Sequence, residues 1–443
     1  MAPGQDVFHP DYKPLPYWWE AYRPVAGELT PVPRQAQVAI IGAGYAGLSA
    51  ALELARNGIQ PVVLDANEPG FGASTRNGGG VGGGIGLGKS FTGKTLDRDP
   101  ATVRALVAAA WDAFEHVETL VRREAIDCHW ERRGNFTGAW TRSHFEGLKQ
   151  RLSRITPDDQ SQAYLVPRER QREEIGTDLY HGGLVIERAA QIHPALYFKG
   201  LLDACERNGV IVCAKAPVHM INPGDGSAQR RWRLGTGRGD VEAAEVVVTT
   251  NGYTGNATPK LKRGLVPVAS HIIATEELPA ELARSVSPKR RTLADTRRVL
   301  NYYRLSPDGR RMVFGGRPRF THVEQRVSAL LLYEQMLERF PQLRGTRITH
   351  AWSGGIAFTF DALPHMGRLD GMHYCLGCNG SGIARMTYLG HQTARKILTG
   401  ANAVCAFDLP ELPEFPLYNG NPWFLPVVGG YFRLRDRIDR LIG

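Results

Sequence analysis

Apolar and polar positions follow three different rhythms along the chain, and each rhythm predicts a different kind of element. Unbroken apolar runs at Val38–Ile41, Pro61–Leu64 and within Glu245–Thr250 suit parallel strands buried on both faces. A helical period marks 48–56, 98–126, 142–155, 194–207, 328–340 and 383–398. In 98–126 it places Val103, Leu106, Val107, Trp111, Phe114 and Val117 on one side. Shorter runs read as strands at 129–140 (a pair), 210–213, 266–275, 299–305, 311–316, 348–357 and 373–376, with Ser306-Pro307-Asp308-Gly309 as a hairpin turn. Residues 1–36 show no period. They read as an irregular arm whose aromatics (Tyr17, Trp18, Trp19, Tyr22) either pack on the surface or line a site.

The most informative stretch is Gln37–Asp65. An apolar strand runs directly into Gly42, Ala43, Gly44, Tyr45, Ala46 and Gly47, which supply the GxGxxG spacing, and a helix follows to Arg56. The first glycine allows a sharp turn, the second lets backbone approach a diphosphate, and the third lets helix pack on strand. Asp65 ends the next strand, where a carboxylate can accept both hydroxyls of an adenosine ribose. Strand, glycines, helix, strand and acid in this order predict a bound dinucleotide, held by backbone N–H groups and a helix N-terminus. They do not choose between FAD and NAD.

Two further glycine clusters change that picture. Gly70–Gly88 is too glycine-rich for an ordinary loop and reads as backbone brought close to a flat ligand, or as a lid. Within it, Gly72, Ala73, Ser74, Arg76, Asn77, Gly78 and Gly79 are candidates to hold that ligand. Near the C-terminus, Gly377-Cys378-Asn379-Gly380-Ser381-Gly382 leads into a helix at Ile383, making a second glycine turn at a helix start. One such turn can face a diphosphate and the other the pyrimidine edge of a flavin, which favours FAD over NAD. Ala66, Val218, Thr250, Asn251 and Gly252 complete the cofactor candidates, Val218 where backbone meets an adenine edge.

Composition adds limits. The chain has 443 residues, 42% hydrophobic, with 50 glycines and a formal net charge of +10. It is long enough for two domains sharing a cofactor. Its arginines are dispersed and no nucleic-acid motif appears, so solvated surface charge accounts for the balance. No apolar run approaches a membrane span and no signal-peptide pattern is present, which predicts a cytoplasmic protein with reduced cysteines at 128, 205, 213, 375, 378 and 405.

The ordered motifs GAGYAGLSAALELA, GASTRNGG, EVVVTTNGY, WSGGIAFTFDALPHMG and GCNGSGI resemble the D-amino-acid oxidase (DAO) superfamily of FAD-dependent oxidoreductases over nearly the whole chain. GASTRNGG, NYYRLSPDGRRMVFGGR and the tail NPWFLPVVGGYFRLRDRI look most like gamma-glutamylputrescine oxidase-type proteins. The resemblance implies an α/β chain: a Rossmann-like FAD-binding domain (GR2/DAO type) with an inserted α+β substrate domain on a largely antiparallel sheet. On this reading 1–36 is an arm, and 37–97, 184–260 and 347–400 form the discontinuous FAD domain. Residues 98–183 and 261–346 form the substrate domain, and 401–443 is a tail docked on the body. The implied reaction oxidises a C–N bond by hydride transfer to flavin N5, followed by imine hydrolysis. Oxygen is the expected acceptor; a same-fold dehydrogenase using a quinone or protein acceptor, and a non-catalytic flavin-binding protein, are the alternatives.

Departures from the family pattern narrow this. Val313 stands where sarcosine oxidases carry an oxygen-activating lysine, and Ala384, beside Arg385, replaces their carboxylate-binding lysine. A primary or secondary amine is therefore favoured over a substrate with a carboxylate beside its amine. Gly354 and Asn77 occupy the positions near which relatives attach flavin, so FAD is expected to be noncovalent.

On the substrate side the candidates are His271, Tyr302, Trp352 and Arg317. His271 either faces the flavin or is a satisfied structural histidine. Strand alternation lets only one of Tyr302 and Tyr303 point to the site, and aromatic walls suit an amine or simply a core. Arg317 is a candidate for an anionic substrate end. Cys375 and Cys378 form CxxC without a second pair, so no metal is expected. The tail from Trp423 to Ile442 is partly amphipathic, suited to docking on the body or to a membrane surface.

Overall fold

The computed structural model of the protein describes residues 7–25, 27–82, 99–153, 162–227, 230–402, 404–409 and 411–442. Two sheets carry the fold. The first has eight strands, with Val218–Pro223, Trp232–Thr236, Gly239–Val248, Gln35–Ile41, Pro61–Leu64 and Ile211–Cys213 in that order. Met372–Leu376 and His365–Leu369 extend it beside Gly239–Val248. Its centre is parallel: Ile40 pairs with Val63 on one side and Val247 on the other. The apolar runs land here because these strands are covered on both faces. Val38, Ala39 and Ile40 are at most 2% exposed. Val38 and Ile40 each contribute roughly 1.5–3 kcal/mol through burial.

Helix Tyr45–Arg56 rises from the end of Gln35–Ile41, and helix Gly382–Thr399 follows Met372–Leu376. The two helices cross almost backbone to backbone: a Cβ on Gly390 would lie 2.1 Å from the Ala46 carbonyl oxygen. Ser49 donates to the Thr387 carbonyl at 2.7 Å, tying the same crossing. Their N-termini are thereby brought to one place. Helices Pro100–Arg123, capped by Asp99, and Pro194–Arg207 pack against the pair and bury Phe114, Val117, Phe198 and Leu201.

The second sheet has nine strands in the order Phe8–Lys13, Ile348–Phe358, Val266–Thr275, Met312–Gly316, Asn301–Leu305, Thr292–Asp295, Asn135–Gly138, Gly183–Ile186 and Ala163–Val166. All pairings but the first and that of Thr292–Asp295 with Asn135–Gly138 are antiparallel. Helix Gln325–Arg339 covers one face. The mixed α/β architecture with a largely antiparallel second sheet is as expected.

Three expectations are corrected. The N-terminal arm is not irregular throughout: Phe8–Lys13 is an edge strand and Tyr17–Glu20 a 3-10 turn burying Trp18 and Trp19. Only Phe8 of that strand is buried, so no period shows. The pair of strands expected in 129–140 is the single strand Asn135–Gly138. His129 (φ 53°) and Gly134 (φ 71°) sit in the left-handed region, which breaks extension before it. Finally, Gly183–Ile186 and Ile348–Phe358 join the nine-stranded sheet, although 184–260 and 347–400 were assigned to the dinucleotide side. Both are almost wholly buried, a pattern shared by parallel and antiparallel strands. The glycines beyond Gly82 in the 70–88 stretch, and residues 154 and 155 of the helix beginning at Arg142, lie outside the described residues.

The tail forms helix Leu425–Ile442, seated on the body through Asp436, whose carboxylate accepts from the backbone N–H groups of Arg298 and Val299 at 3.0 and 3.1 Å. Among the described residues no helix is long and apolar enough to cross a membrane.

Candidate active site

Between the two sheets lies a cavity of about 700 Å³, within the range of roughly 300–1,000 Å³ usual for ligand pockets. Gly42–Ala46 and Cys378–Ile383 both line it, so the two glycine turns face one space.

At the first turn the three motif glycines have different reasons to be there. Gly42 adopts φ 107°, and a Cβ on Gly47 would sit 1.9 Å from the Gly42 carbonyl oxygen. These two are required by the fold itself. Gly44 is extended (φ −91°, ψ −170°), and its Cβ would meet only the Ser74 hydroxyl, at 3.1 Å. Nothing in the chain needs a glycine at 44; its bare backbone borders the cavity. Asp65 stands beside it, one carboxylate oxygen accepting from Ala43 N–H at 2.7 Å and the other from Asn67 N–H at 2.8 Å. Burial raises the Asp65 pKa, and those two backbone donors oppose the rise. The side chain of Tyr45 is turned into the core, its hydroxyl donating to the Ser74 carbonyl, with the Pro194 carbonyl 3.1 Å away. Ala66 and Val218 line the cavity near Asp65.

The second cluster is clamped from behind. Trp18 donates its indole N–H to the Asn77 carbonyl at 2.8 Å, Trp352 to the Arg76 carbonyl at 2.8 Å, and Trp19 to Thr75 Oγ1 at 2.9 Å. Three consecutive residues are thus held by three tryptophans. The Arg76 guanidinium lies 4.5 Å from the ring centroids of both Trp19 and Phe71. Asn77 accepts from Gly79 N–H at 2.9 Å, and the buried Arg304 donates to the carbonyls of Gly79 and Ile192 at 3.0 Å. The result is a stiff wall in which Gly72, Ala73, Ser74, Gly78 and Gly79 present backbone to the cavity.

The C-terminal turn is shaped by positive φ at Gly377, Asn379 and Gly380 (81°, 46° and 83°). Asn251, itself at φ 45°, accepts from Gly377 N–H at 3.0 Å and Cys378 N–H at 3.3 Å. Ser381 N–H donates back to the Cys378 carbonyl oxygen at 2.9 Å. The first intrahelical bond is from Arg385 N–H to Ser381 carbonyl oxygen, leaving the N–H groups of Gly382 and Ile383 without an intrahelical acceptor.

Arg317 lies at this end, its guanidinium 3.6 Å from where a Gly380 Cβ would be and 4.9 Å from the Phe358 ring centroid. Its Nε has no hydrogen-bond partner among the described residues. Burial pushes its pKa below the usual arginine value. Tyr302 also lines the cavity and shares a hydrogen bond of 2.8 Å with Ser270 Oγ; burial keeps its phenol neutral by raising its pKa. The Tyr303 hydroxyl goes the other way, to Tyr180 at 2.7 Å, as alternation requires. Val313, Gly354 and Thr250 line the cavity as well.

Several site expectations are corrected. His271 does not reach the cavity: it is 0% exposed, with Nε2 3.3 Å from the Thr321 carbonyl, because its strand turns the neighbouring Ser270 inward instead. Trp352 stands behind the wall, its ring packed with Trp18. Gly47, Gly252 and Gly377 are next to lining residues but do not line the cavity; they serve close packing and turn geometry. Cys375 and Cys378 are both free thiols, Cys378 directed at the Ala357 carbonyl. Arg304 is not among the sequence candidates, and Trp18 and Trp19, read there as surface packing or as site lining, instead brace the wall from behind. The signal available was two adjacent tryptophans in a polar arm, whose buried N–H groups need acceptors.

Comparison with known proteins agrees with this geometry. Residues 37–396 match the DAO family, described as FAD dependent oxidoreductase. The chain is 31% identical over 407 residues to gamma-glutamylputrescine oxidoreductase of Escherichia coli (strain K12), covering 90% of this chain and 93% of that one. It is 30% identical to the probable oxidoreductase OrdL of Haemophilus influenzae, covering 87% of this chain and 88% of that one. Glycine oxidase from Geobacillus kaustophilus has the same fold, with a TM-score of 0.69 at 18% identity over 86% of this chain and 99% of its own. So does L-amino acid deaminase from Proteus vulgaris, at 0.70 and 13%, over 87% and 99%. With the match spanning most of its length, the chain belongs to the DAO family of FAD-dependent oxidoreductases.

Proposed function

We propose that the protein binds FAD noncovalently in the cavity between the sheets and oxidises the C–N bond of a primary or secondary amine, with oxygen as acceptor. The observation that carries this reading is the convergence of Gly42–Ala46 and Cys378–Ile383 on one cavity. The residues fit the cofactor: Gly44 leaves bare backbone for a diphosphate, and the Asp65 carboxylate stands at the end of its strand for ribose hydroxyls. Val218, near Asp65, would meet the adenosine end, and Ser74 and Asn77–Gly79, with the 377–383 turn that Asn251 holds, would meet the ring. The N–H groups of Gly382 and Ile383, with the positive end of their helix, would hold charge at the pyrimidine edge. Neither Gly354 nor Asn77 offers a nucleophile for covalent attachment.

Bound FAD would supply the redox chemistry, a two-electron oxidation of the C–H beside nitrogen. Overall, amine, oxygen and water give a carbonyl product, ammonia or an amine, and hydrogen peroxide. The chain's own part is orientation and dryness. Tyr302 and Val313 wall the substrate, and no acid–base side chain is needed if the amine enters neutral. Arg317 is a cation without a carboxylate partner among the described residues, suited to an anionic end of the substrate remote from the amine. The E. coli relative is named for gamma-glutamylputrescine, and a gamma-linked glutamyl group keeps a free carboxylate, so that compound heads the panel to try.

Anaerobic titration of the yellow protein with a panel of amines tests the reading. Bleaching of the flavin band by one of them is expected; a flavin that no amine bleaches would point to a non-catalytic flavoprotein. Val313, apolar where an oxygen-activating lysine is the alternative, favours a second reading, a dehydrogenase with a different acceptor. Peroxide formed per substrate consumed separates the two: equal amounts for the oxidase, little without an artificial acceptor for the dehydrogenase.

A further inference from the structure

We propose that helix Leu425–Ile442 docks the protein on the surface of an anionic lipid bilayer. Of the 16 large apolar side chains exposed among the described residues, eight fall within 415–442. Scattered single exposures are ordinary, whereas a concentration of this kind marks a contact surface. Trp423, Val427, Tyr431, Leu434 and Leu441 are 70, 73, 57, 56 and 87% exposed. At about 100° per residue, spacings of four, three and seven keep Val427, Tyr431, Leu434 and Leu441 on one side of the helix, and Trp423 stands just before its first residue.

The charges complete the pattern. Asp436 is spent on the body, accepting from the backbone of Arg298 and Val299, while Asp439 pairs with Arg298 of the body and, at 3.7 Å, with Arg435 of its own helix. Asp436 lies opposite the stripe. Arg435 and Arg437 fall roughly 80° to either side of it, on the two shoulders. Arg433 and the exposed Arg319 add to the same positive field: after burial, the charges of Arg319 and Arg437 are what depress the Arg433 pKa. A helix with an apolar outer stripe, arginine shoulders and a tryptophan at one end has the make-up of an interfacial helix. A second copy of the chain fits less well, because a two-fold contact through this stripe sets the arginine shoulders of one copy against those of the other.

Sedimentation of the full-length holoenzyme with vesicles, followed by its flavin colour, tests the proposal independently of substrate. Vesicles of equimolar phosphatidylcholine and phosphatidylglycerol should carry the protein down, phosphatidylcholine alone much less, and added salt should release it. Val427→Asp with Leu434→Asp should lower the partition by more than about tenfold, Arg437→Ala by about fivefold, and Arg435→Ala by less, because Asp439 already meets part of its charge. Colour and turnover should be unchanged in all of them. Protein left in the supernatant with both vesicle types, or a Val427→Asp/Leu434→Asp variant that sediments like wild type, would overturn it. So would a wild-type dimer that the double variant dissociates while neither binds vesicles.

Discussion

The two glycine turns that meet at the cavity are built in opposite ways. The turn at 42–47 is held by backbone packing: Gly42 N–H donates to the Leu64 carbonyl at 2.8 Å, and Gly47 leaves no room for any side chain. The turn at 377–382 is held largely through side chains, with Asn251 from elsewhere accepting two of its N–H groups and its own Asn379 accepting from Thr359 N–H at 3.1 Å. A Cβ on Gly382 would meet nothing nearer than 3.6 Å. The first turn is therefore part of the fold, and the second is a fitting attached to it. Damage to the first should be global or specific to the cofactor according to the glycine chosen. Damage to the second should be graded and local.

The largest effect is expected from Gly47→Ala. Its Cβ would overlap the Gly42 carbonyl oxygen, an overpacking of at least about 3 kcal/mol, and the protein should be largely insoluble. Gly44→Val should instead fold, with a melting temperature near that of the apoprotein, but emerge colourless, its FAD affinity down by more than about a hundredfold. A Gly44→Val protein with normal yellow occupancy would break the comparison at its strongest point. Next is Asn251→Ala, which strands two N–H donors at a cost of about 1–3 kcal/mol. FAD dissociation, followed by recovery of flavin fluorescence, should rise by about tenfold to a hundredfold while the fold survives.

Smaller again is Trp18→Phe, which keeps an aromatic ring but leaves the Asn77 carbonyl without its indole donor. A loss of about 1 kcal/mol predicts FAD binding weakened about fivefold and a shifted flavin absorption band. The smallest effect on turnover should come from His271→Asn, less than about threefold in kcat/KM, because His271 stands behind the cavity wall. Its signature lies in stability. His116, His271 and His373 are each held from 6.5 down to about 4, chiefly by burial. A base with a lowered folded pKa is neutral in the native state and protonated on unfolding. Its stability is intact above about pH 6.5 and lost as pH falls towards 4, by about 1.4 kcal/mol per pH unit for each group. His271→Asn should flatten the fall of the melting temperature across that range.

The same contrast explains what could be read from the sequence. The first turn was legible because backbone packing imposes glycine at fixed spacings, beside strands whose apolar runs have no other use. The second turn could be placed at a helix start, but its dependence on Asn251, more than a hundred residues earlier, is not written locally. Substrate-side residues were hardest. Ser270 and His271 are adjacent on one strand, and nothing in their sequence says which faces the cavity. The sheet packing turns Ser270 towards Tyr302 and His271 away. The arm was opaque for a related reason: Trp18 and Trp19 act through indole N–H groups on residues 75–77, a long-range bond with no period to announce it.

The central claim is that both turns hold one FAD, and a crystal structure of the yellow holoenzyme tests it most directly. The account predicts the diphosphate against the backbone of Gly42–Ala46 and the pyrimidine edge of the ring at the N–H groups of Gly382 and Ile383. A flavin ring bound more than a hydrogen-bond length from the 377–383 turn, with the diphosphate still in place, would contradict it.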